Sequence, residues 1–295
     1  DHGNDNNNNN NSNFDCVESV FQICKGYTST LDVASYKVLS NTVTDYDNAD
    51  SPTNPTTSIT TATATTTTRK SKSYLSFLSF AWGLIADCDF ESECLRWLGP
   101  LRSDVWAVYR GIFFRRQYRG RFSYLPPATA ATSSGASSGA SSGVDGSGGG
   151  EGSMMMGDND DDGNVVVEMP QVGKPLPNGW VSFDEEEFLV FWVCNTSHAA
   201  YNMYTCPMAR MNDGLFHVLI VRSSCSRLRL LQMLLKLDSG GHIDCDLCEV
   251  IDCVAYQLEP LSNVSYNVLD GELLEDGIVQ ARFILGGAQL FCGEK

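Results

Sequence analysis

The sequence predicts an α+β fold: an antiparallel β-rich, sandwich-like domain with a few helices, interrupted by disordered low-complexity insertions. Between residues 165 and 292, short runs of β-branched and aromatic residues are separated by Gly, Asp and Asn, which is typical of antiparallel strands joined by turns. Three other segments are almost without apolar residues and cannot bury enough surface to offset the entropy of ordering them. The predicted strands are FLVFWVCN, FHVLIVRS, CVAYQLEP, VSYNVLDGEL and IVQARFILGGAQLF.

The low-complexity segments divide the chain. Residues 1–13 form an Asn-rich segment that we expect to be disordered, and residues 14–295 form one domain. Two disordered insertions are expected within that domain, at about 46–72, which is rich in Thr, and at about 127–163, which is rich in Ser and Gly and then in Asp. In the last part of the chain, Asp270-Gly271 predicts a tight turn between two strands.

Charge and hydropathy exclude some classes of protein. The net charge of -16 argues against a general nucleic-acid-binding protein, because such proteins present a positive face to phosphates. The longest apolar runs, 188–193 and 228–237, are shorter than the roughly 20 residues of a membrane-spanning helix. The amino terminus has neither an initiator Met nor a signal-peptide pattern, so we expect a fragment or processed piece of a protein that is not secreted.

The cysteines favour a reducing compartment. There are eleven of them, an odd number, and several lie within apolar runs, which suits buried thiols better than a disulfide framework. A cytoplasmic protein is therefore expected. Cys245 and Cys248 form a lone CxxC pair, and without a second pair a zinc site is a weaker interpretation than two cysteines of a strand.

Two segments have helical periodicity. In residues 103–116, Ser103 is expected to cap a helix with one apolar stripe, and in residues 226–237 the leucines form an unusually broad apolar face. Core packing explains that broad face, and one wall of a pocket for an alkyl chain is the alternative. The stripe consists of Trp106, Tyr109, Ile112 and Phe113, and the broad face of Leu228, Leu231, Leu234 and Leu235, widened by Leu230 and Leu237.

An acidic cluster follows an apolar run in AWGLIADCDFESE, residues 81–93. One interpretation is a helix start, with Asp89 as the cap and an acidic first turn that complements the helix dipole. The other is a binding site, because a carboxylate beside an apolar mouth suits a cationic, amphipathic ligand. The cluster consists of Asp87, Asp89, Glu91 and Glu93.

Basic residues follow the cluster. Arg96 and Arg102 could clamp phosphate oxygens through bidentate hydrogen bonds; the alternative is a solvated face on which they pair with Glu91 and Glu93. The five arginines between residues 110 and 121 could meet anionic lipid headgroups, although a solvated helix end explains them better. The chain has no GxSxG, HExxH or GxxxxGK[ST] motif, so hydrolase, zinc-protease and P-loop functions lack their starting residues.

Several of these stretches together resemble the sphingosine kinases, members of the diacylglycerol-kinase-like lipid kinases. The match covers most of the ordered sequence in the right order, and AWGLIADCDFESE favours sphingosine kinase over diacylglycerol or ceramide kinase. The resemblance implies the β-rich carboxy-terminal domain that encloses the sphingoid base. The stretches are ICKGYTSTLDV at 23–33, SFLSFAWGLIADCDFESECLRWLGPLR at 76–102, YRGRFSYLP at 118–126, CPMARMNDG at 206–214 and VLDGEL at 268–273.

On the lipid side, the resemblance implies that Asp89 binds the amino and hydroxyl groups of the lipid head, with Ser79 nearby. It also implies that part of the broad leucine face is the wall of a tunnel for the lipid tail. The implied tail-binding residues are Leu230, Met233, Leu234, Leu237 and His242.

On the nucleotide side, the resemblance implies that Glu93 approaches the nucleotide and that Arg96 and Arg102 bind the phosphates of ATP. Asp270 would bind Mg²⁺, and Glu272 would complete the nucleotide side of the cleft. Such groups suit phosphoryl transfer, which depends mostly on positioning and charge neutralisation.

The family also has an amino-terminal nucleotide domain with GGKG-like and SGDG-like motifs, and neither motif occurs in these 295 residues. The acidic residue of SGDG, which the family places at the reacting hydroxyl, is therefore missing, so we name no catalytic residue and expect the isolated chain to be inactive. The expected function is the lipid-binding half of a kinase that transfers the γ-phosphate of ATP to the primary hydroxyl of sphingosine, giving sphingosine 1-phosphate. Such a protein would be cytoplasmic and peripherally membrane-associated. A non-catalytic lipid-binding or regulatory module and an unrelated β-rich binding protein are the alternatives.

Overall fold

The computed structural model describes residues 16–43, 67–127, 167–200, 203–262 and 265–292. The Asn-rich segment 1–13 and most of the two expected insertions lie outside the described residues. Strand β2 occupies Thr67–Ser76, so the last residues of the range 46–72 belong to a strand rather than to an insertion. The other predicted domain boundaries stay predictions.

The described chain contains eleven strands and four α-helices. The helices are α1 Cys16–Lys25, α2 Leu84–Glu91, α3 Arg102–Val108 and α4 Arg227–Leu234; irregular helical turns fill Ser92–Leu101, and a π-helical turn follows α3 at Tyr109–Phe113. The strands are β1 Thr28–Val43, β2 Thr67–Ser76, β3 Ser79–Gly83, β4 Tyr118–Leu125, β5 Val181–Cys194, β6 Phe216–Arg222, β7 Glu249–Cys253, β8 Ala255–Pro260, β9 Val268–Leu269, β10 Glu272–Leu273 and β11 Ile278–Phe291.

The strands form one curled antiparallel sheet in the order β10-β9-β3-β5-β4-β8-β11-β1-β2, with β6 on β5 and β7 on β6. Strand β5 joins two parts of this sheet, because residues 181–188 pair with β4 whereas residues 188–194 pair with β3 and β6. The predicted α+β, antiparallel and sandwich-like fold is thereby confirmed. The predicted Asp270-Gly271 turn is also present between β9 and β10, and both of its residues have positive φ, 50° and 85°.

The two halves of β5 differ in sequence because they differ in burial. The first half carries Asp184 and three glutamates and is largely open to solvent, whereas every residue of FLVFWVC, 188–194, is buried. A continuous apolar run is typical of a strand covered on both faces. Helices α2 and α4 contribute to one cover, and the aromatic core of the curled sheet forms the other.

The aromatic core closes the curl of the sheet. The ring of Tyr36 in β1 stacks on Phe80 in β3 with centroids 5.8 Å apart, and Phe216 in β6 meets Tyr256 in β8 edge-on at 5.2 Å. All four residues are fully buried. These contacts join strands that are not neighbours in the sheet, so side-chain packing rather than backbone pairing holds the curled shape.

Both predicted helices need correction. Helix α3 begins at Arg102 with no side-chain cap, so Ser103 lies inside the helix rather than capping it, and Phe113 of the predicted stripe is 66% exposed. Helix α4 does have a side-chain cap, since Ser226 Oγ accepts a hydrogen bond from the Arg229 N–H. The predicted leucine face is wrong, because the buried residues are Leu230 and Met233 while Leu228 and Leu235 are exposed.

Candidate functional site

Helix α2 carries the acidic cluster, and Gly83 determines where it starts. At Gly83 the chain turns from β3 into α2 with φ 88°, and a Cβ there would lie 2.8 Å from the carbonyl oxygen of Leu189. Only glycine fits this turn without strain. Because α2 begins at Leu84, Asp89 lies near its end and not at its amino-terminal cap. The helix-start interpretation of Asp89 is therefore wrong.

Asp87 lies in the first turn of α2 and is fully buried. Its Oδ2 atom accepts hydrogen bonds from Arg116 Nη1 at 2.7 Å and from the Tyr118 hydroxyl at 2.8 Å. Burial raises the pKa of Asp87, and the bonds from Tyr118 and Arg116 oppose that rise. These partners are typical of a buried structural carboxylate, which needs compensation for its lost hydration.

Glu91 follows Asp87 by one helical turn on the same face of α2. Its carboxylate receives a bidentate pair from Arg110, with Nε at 2.6 Å and Nη2 at 2.7 Å, and a further bond from Arg116 at 3.0 Å. Burial acts to raise the pKa of Glu91, but the bonds from Arg110 and the Trp106 indole outweigh it, so the pKa is lowered. We call Asp87 and Glu91 the inner pair.

Asp89 and Glu93 form the outer pair. The Asp89 side chain is exposed, yet the surrounding protein desolvates its carboxylate and raises its pKa to about 6, against a smaller opposing effect of Arg102. A carboxylate whose pKa is raised in this way is a candidate functional group.

Glu93 forms ion pairs with both Arg96 and Arg102. The hydrogen bond from Arg102 is the main reason that the pKa of Glu93 is lowered. The structure thus brings together the three residues that the resemblance assigned to the nucleotide, whereas Glu91 pairs with other arginines. Two guanidinium groups that share one carboxylate are also suited to phosphate oxygens, because carboxylates and phosphates both accept paired hydrogen bonds from a guanidinium.

Asp270 secures the turn between β2 and β3. Its Oδ1 accepts hydrogen bonds from Ser76 Oγ at 2.7 Å, Ser79 N at 2.9 Å and Leu78 N at 3.2 Å, whereas its Oδ2 accepts only one, from Phe77 N at 3.2 Å. Oδ2 is therefore the less engaged of the two oxygens.

A metal at Asp270 would need ligands from elsewhere. Among the residues that the structure describes, no three His, Cys, Asp or Glu side chains are grouped to hold a metal. This also leaves Cys245 and Cys248 without a metal cluster in the described part of the chain. Glu272 is exposed in β10, two residues after Asp270. Ser79 begins β3 and its N–H bonds Asp270, and Asp89 lies in α2, the helix that follows that strand.

An apolar cavity lies between the helices and the sheet. Four of the five residues that the resemblance assigned to the lipid tail line it, and the fifth, Leu230, is fully buried in α4. The sequence did not suggest the remaining wall, although the continuous apolar runs of β5 and β6 were a signal of burial on both faces. The cavity is lined by Ile85, Val190, Trp192, Leu219, Val221, Met233, Leu234, Leu237, His242 and Cys248.

The cavity is very small. Its volume is about 10 Å³, enough for about one water molecule, whereas ligand pockets typically measure about 300–1,000 Å³. His242 is buried in its wall, and its Nε2 bonds the carbonyl oxygen of Thr205 at 2.8 Å. Burial lowers the pKa of His242, which keeps the wall neutral. An alkyl chain would enter only if part of the wall moved outward.

Comparison with known proteins gives a consistent family. Residues 182–288 match the YegS C-terminal NAD kinase beta sandwich-like domain. Sphingosine kinase 1 of Mus musculus is 30% identical over 221 residues, which is 73% of this chain and 51% of the mouse protein. Sphingosine kinase 1 of Arabidopsis thaliana is 32% identical over 203 residues, 68% of this chain and 38% of that protein. The chain thus spans about half the length of the mouse protein, and less of the plant protein.

A crystal structure of a diacylglycerol kinase from Bacillus anthracis str. Sterne is similar with a TM-score of 0.44 and 9% sequence identity, covering 95% of this chain and 60% of that chain. A likeness of this degree adds no weight to the sequence matches.

Proposed function

The chain is a sphingosine kinase-like carboxy-terminal domain of the lipid kinase family, and from that premise we propose that it supplies the lipid-binding half of an ATP-dependent sphingoid-base kinase. The proposed reaction transfers the γ-phosphate of ATP to the primary hydroxyl of sphingosine and gives sphingosine 1-phosphate. The family match leaves no room for an unrelated β-rich binding protein.

One observation carries the proposal: α2 joins the apolar cavity to the outer carboxylate. Ile85 lines the cavity, and Asp89 lies four residues later in the same helix, which places the two side chains on one face of α2. An amphipathic amine can therefore bury its chain beside Ile85 and place its ammonium group at Asp89. Asp89 would also accept a hydrogen bond from a head-group hydroxyl, with Ser79 assigned to the same end of the ligand.

The nucleotide side is assigned by the same proposal. Arg96 and Arg102 would exchange Glu93 for the phosphates of ATP, Asp270 would be one ligand of Mg²⁺, and Glu272 would lie at the nucleotide. Mg²⁺-ATP supplies the transferred phosphoryl group and the charge neutralisation of the reaction. A nucleotide domain outside these 295 residues would supply the phosphate-binding loops and the acidic residue at the reacting hydroxyl.

We further propose a cytoplasmic protein that meets the membrane from its surface, because its substrate resides there. The support is a group of exposed apolar side chains, Val105, Val108, Phe113 and Phe114; exposed apolar patches are typical of surfaces that contact membranes or other proteins. The helices of the described residues are all too short or too polar to cross a membrane.

The head-group assignment is tested by Asp89→Asn. Loss of the charge should weaken the binding of sphingosine in mixed micelles about tenfold, because hydrogen bonds to charged groups contribute about 1.5–3 kcal/mol. The matched control is Asp184→Asn, which removes an exposed carboxylate from β5. Equal affinities for the two variants would contradict the assignment of Asp89.

The tail assignment is tested by filling the cavity. Leu234→Trp places an indole at the cavity wall and should reduce sphingosine binding about tenfold or more by occlusion, with a smaller effect on a short-chain amine. Leu228→Trp is the control, because Leu228 is 66% exposed on the same helix. If both variants bound sphingosine as well as the unmodified chain does, the cavity would not be the tail site.

A further inference from the structure

Cys245 and Cys248 occupy the ends of a single turn. The segment between α4 and β7 is a succession of turns, and the last of them is closed by a hydrogen bond from the Cys248 N–H to the Cys245 carbonyl oxygen at 2.9 Å. A turn closed in this way holds its end Cα atoms within about 7 Å, and disulfides span Cα distances of about 4.4–6.8 Å. The backbone is therefore already arranged for a bond between the two sulfurs.

The two thiols have different surroundings. Lys236 donates to Cys245 Sγ at 3.7 Å, and a positive charge beside a sulfur suits the attacking partner of an exchange reaction. Burial raises the pKa of Cys248 to about 12, with a further contribution from Cys245. Both side chains are half-buried, and only Cys248 lines the apolar cavity. The pair thus has one sulfur at the ammonium group and one sulfur in the cavity wall.

We propose that Cys245 and Cys248 are a redox-active dithiol whose disulfide form restrains the wall of the apolar cavity. The oxidant is a low-molecular-weight disulfide. The thiolate of Cys245 attacks one of its sulfurs and releases the first thiolate, leaving a mixed disulfide on Cys245. The sulfur of Cys248 then attacks Cys245 Sγ and releases the second thiolate. The two cysteine protons end on the two released thiols, so two electrons pass from the protein to the oxidant.

The bond restrains the part of the wall that has to move. Leu237, His242 and Cys248 line the cavity from the segment 235–248, which contains turns rather than regular structure. Because the cavity is too small for an alkyl chain, a chain enters only when part of the wall moves. A cross-link at the β7 end of this segment draws Cys248 towards Cys245 and stiffens the segment. Oxidation should therefore weaken the binding of a long-chain amine. This consequence rests on the proposed function.

The dithiol is tested by equilibrating the reduced chain with mixtures of reduced and oxidised glutathione, alkylating the free thiols and mapping them by mass spectrometry. We expect Cys245 and Cys248 to escape alkylation together, with the loss of two hydrogens, at a smaller share of oxidised glutathione than any other cysteine requires. Cys248→Ser should leave Cys245 as a glutathione adduct. Cys94→Ser, which removes an exposed thiol elsewhere, should leave the oxidation of the pair unchanged.

Two results would overturn the dithiol: alkylation of Cys245 under conditions that oxidise Cys94, or a bond from either residue of the pair to a third cysteine. The effect on the cavity is then measured as sphingosine affinity in mixed micelles before and after oxidation. We expect a weakening of about fivefold or more, the lower end of typical couplings between two sites, and no redox effect in Cys245→Ser/Cys248→Ser. Equal affinities would overturn the restraint of the wall. Absence of binding in both forms would contradict the proposed function and the restraint, while the alkylation map would still decide the dithiol.

Discussion

The inner and outer pairs have the same chemistry and alternate along seven residues, yet their surroundings are opposite. Asp87 and Glu91 accept hydrogen bonds from arginines, a tyrosine and a tryptophan of the segment 106–118. Their charges therefore stabilise the packing of α2 against that segment. Asp89 is exposed, and the surrounding protein raises the pKa of its carboxylate. Glu93 pairs with Arg96 and Arg102, whose side chains are at least partly open to solvent. The inner pair therefore stabilises the site, whereas the outer pair is accessible to a ligand.

The largest expected effect comes from breaking the inner pair. Asp87→Ala removes the buried acceptor of the Tyr118 hydroxyl and one acceptor of the Arg116 guanidinium, and we expect it to lower the free energy of unfolding by about 3–5 kcal/mol. Asp89→Ala is the matched change in the outer pair and should stay within about 0.5 kcal/mol, as surface substitutions do. Urea denaturation followed by fluorescence measures both. Similar losses in the two variants would remove the distinction between the pairs.

A smaller effect is expected from the two glutamates. Glu91→Gln keeps the shape but removes the charge from the bidentate contact with Arg110, which should cost about 1.5–3 kcal/mol. Glu93→Gln should leave the denaturation midpoint nearly unchanged, because its partners are accessible to water. It should instead increase the affinity for inorganic triphosphate, measured by calorimetry, since Arg96 and Arg102 lose their carboxylate partner. A lower midpoint with unchanged triphosphate binding would reverse the roles assigned here.

The smallest expected effect is a pH dependence of the outer pair. The pKa of Asp89 is raised to about 6, so the carboxylate is charged above that pH and becomes neutral as the pH falls through it. Sphingosine keeps its ammonium group throughout, so its binding should weaken about tenfold between about pH 7.5 and pH 5. The Asp89→Asn variant should show a flat profile over this range. A slope that survives in this variant would assign the pH dependence to another group.

The sequence was sufficient for the features that depend on local chemistry. Strands β5 and β6 follow from runs of apolar, β-branched and aromatic residues, and the Asp270-Gly271 turn follows from residues that tolerate positive φ. Resemblance to a family, rather than periodicity, identified the residues of α4 that face the cavity. Periodicity failed there because leucines occur on all sides of α4, so the pattern does not say which side the sheet covers.

Other features depend on partners that are distant in sequence. The residues of β2, TTRKSKSYLS, look like part of a polar insertion, but β2 is the last strand in its part of the sheet, where lysines discourage pairing with other chains. The sequence also does not show which acids form the inner pair, because that depends on contacts with Arg110, Arg116 and Tyr118 of the following segment. The sequence shows four alternating acids, and only the fold shows which two are bonded to the segment 106–118.

Helix α2 also has a metric consequence. Four residues of helix rise about 6 Å, and neither Ile85 nor Asp89 can change that interval without breaking backbone hydrogen bonds. Under the proposed binding mode, α2 fixes the distance between the start of the hydrocarbon chain and the ammonium group of the ligand. An amine separated from its chain by a long polar spacer would reach either Ile85 or Asp89, but not both.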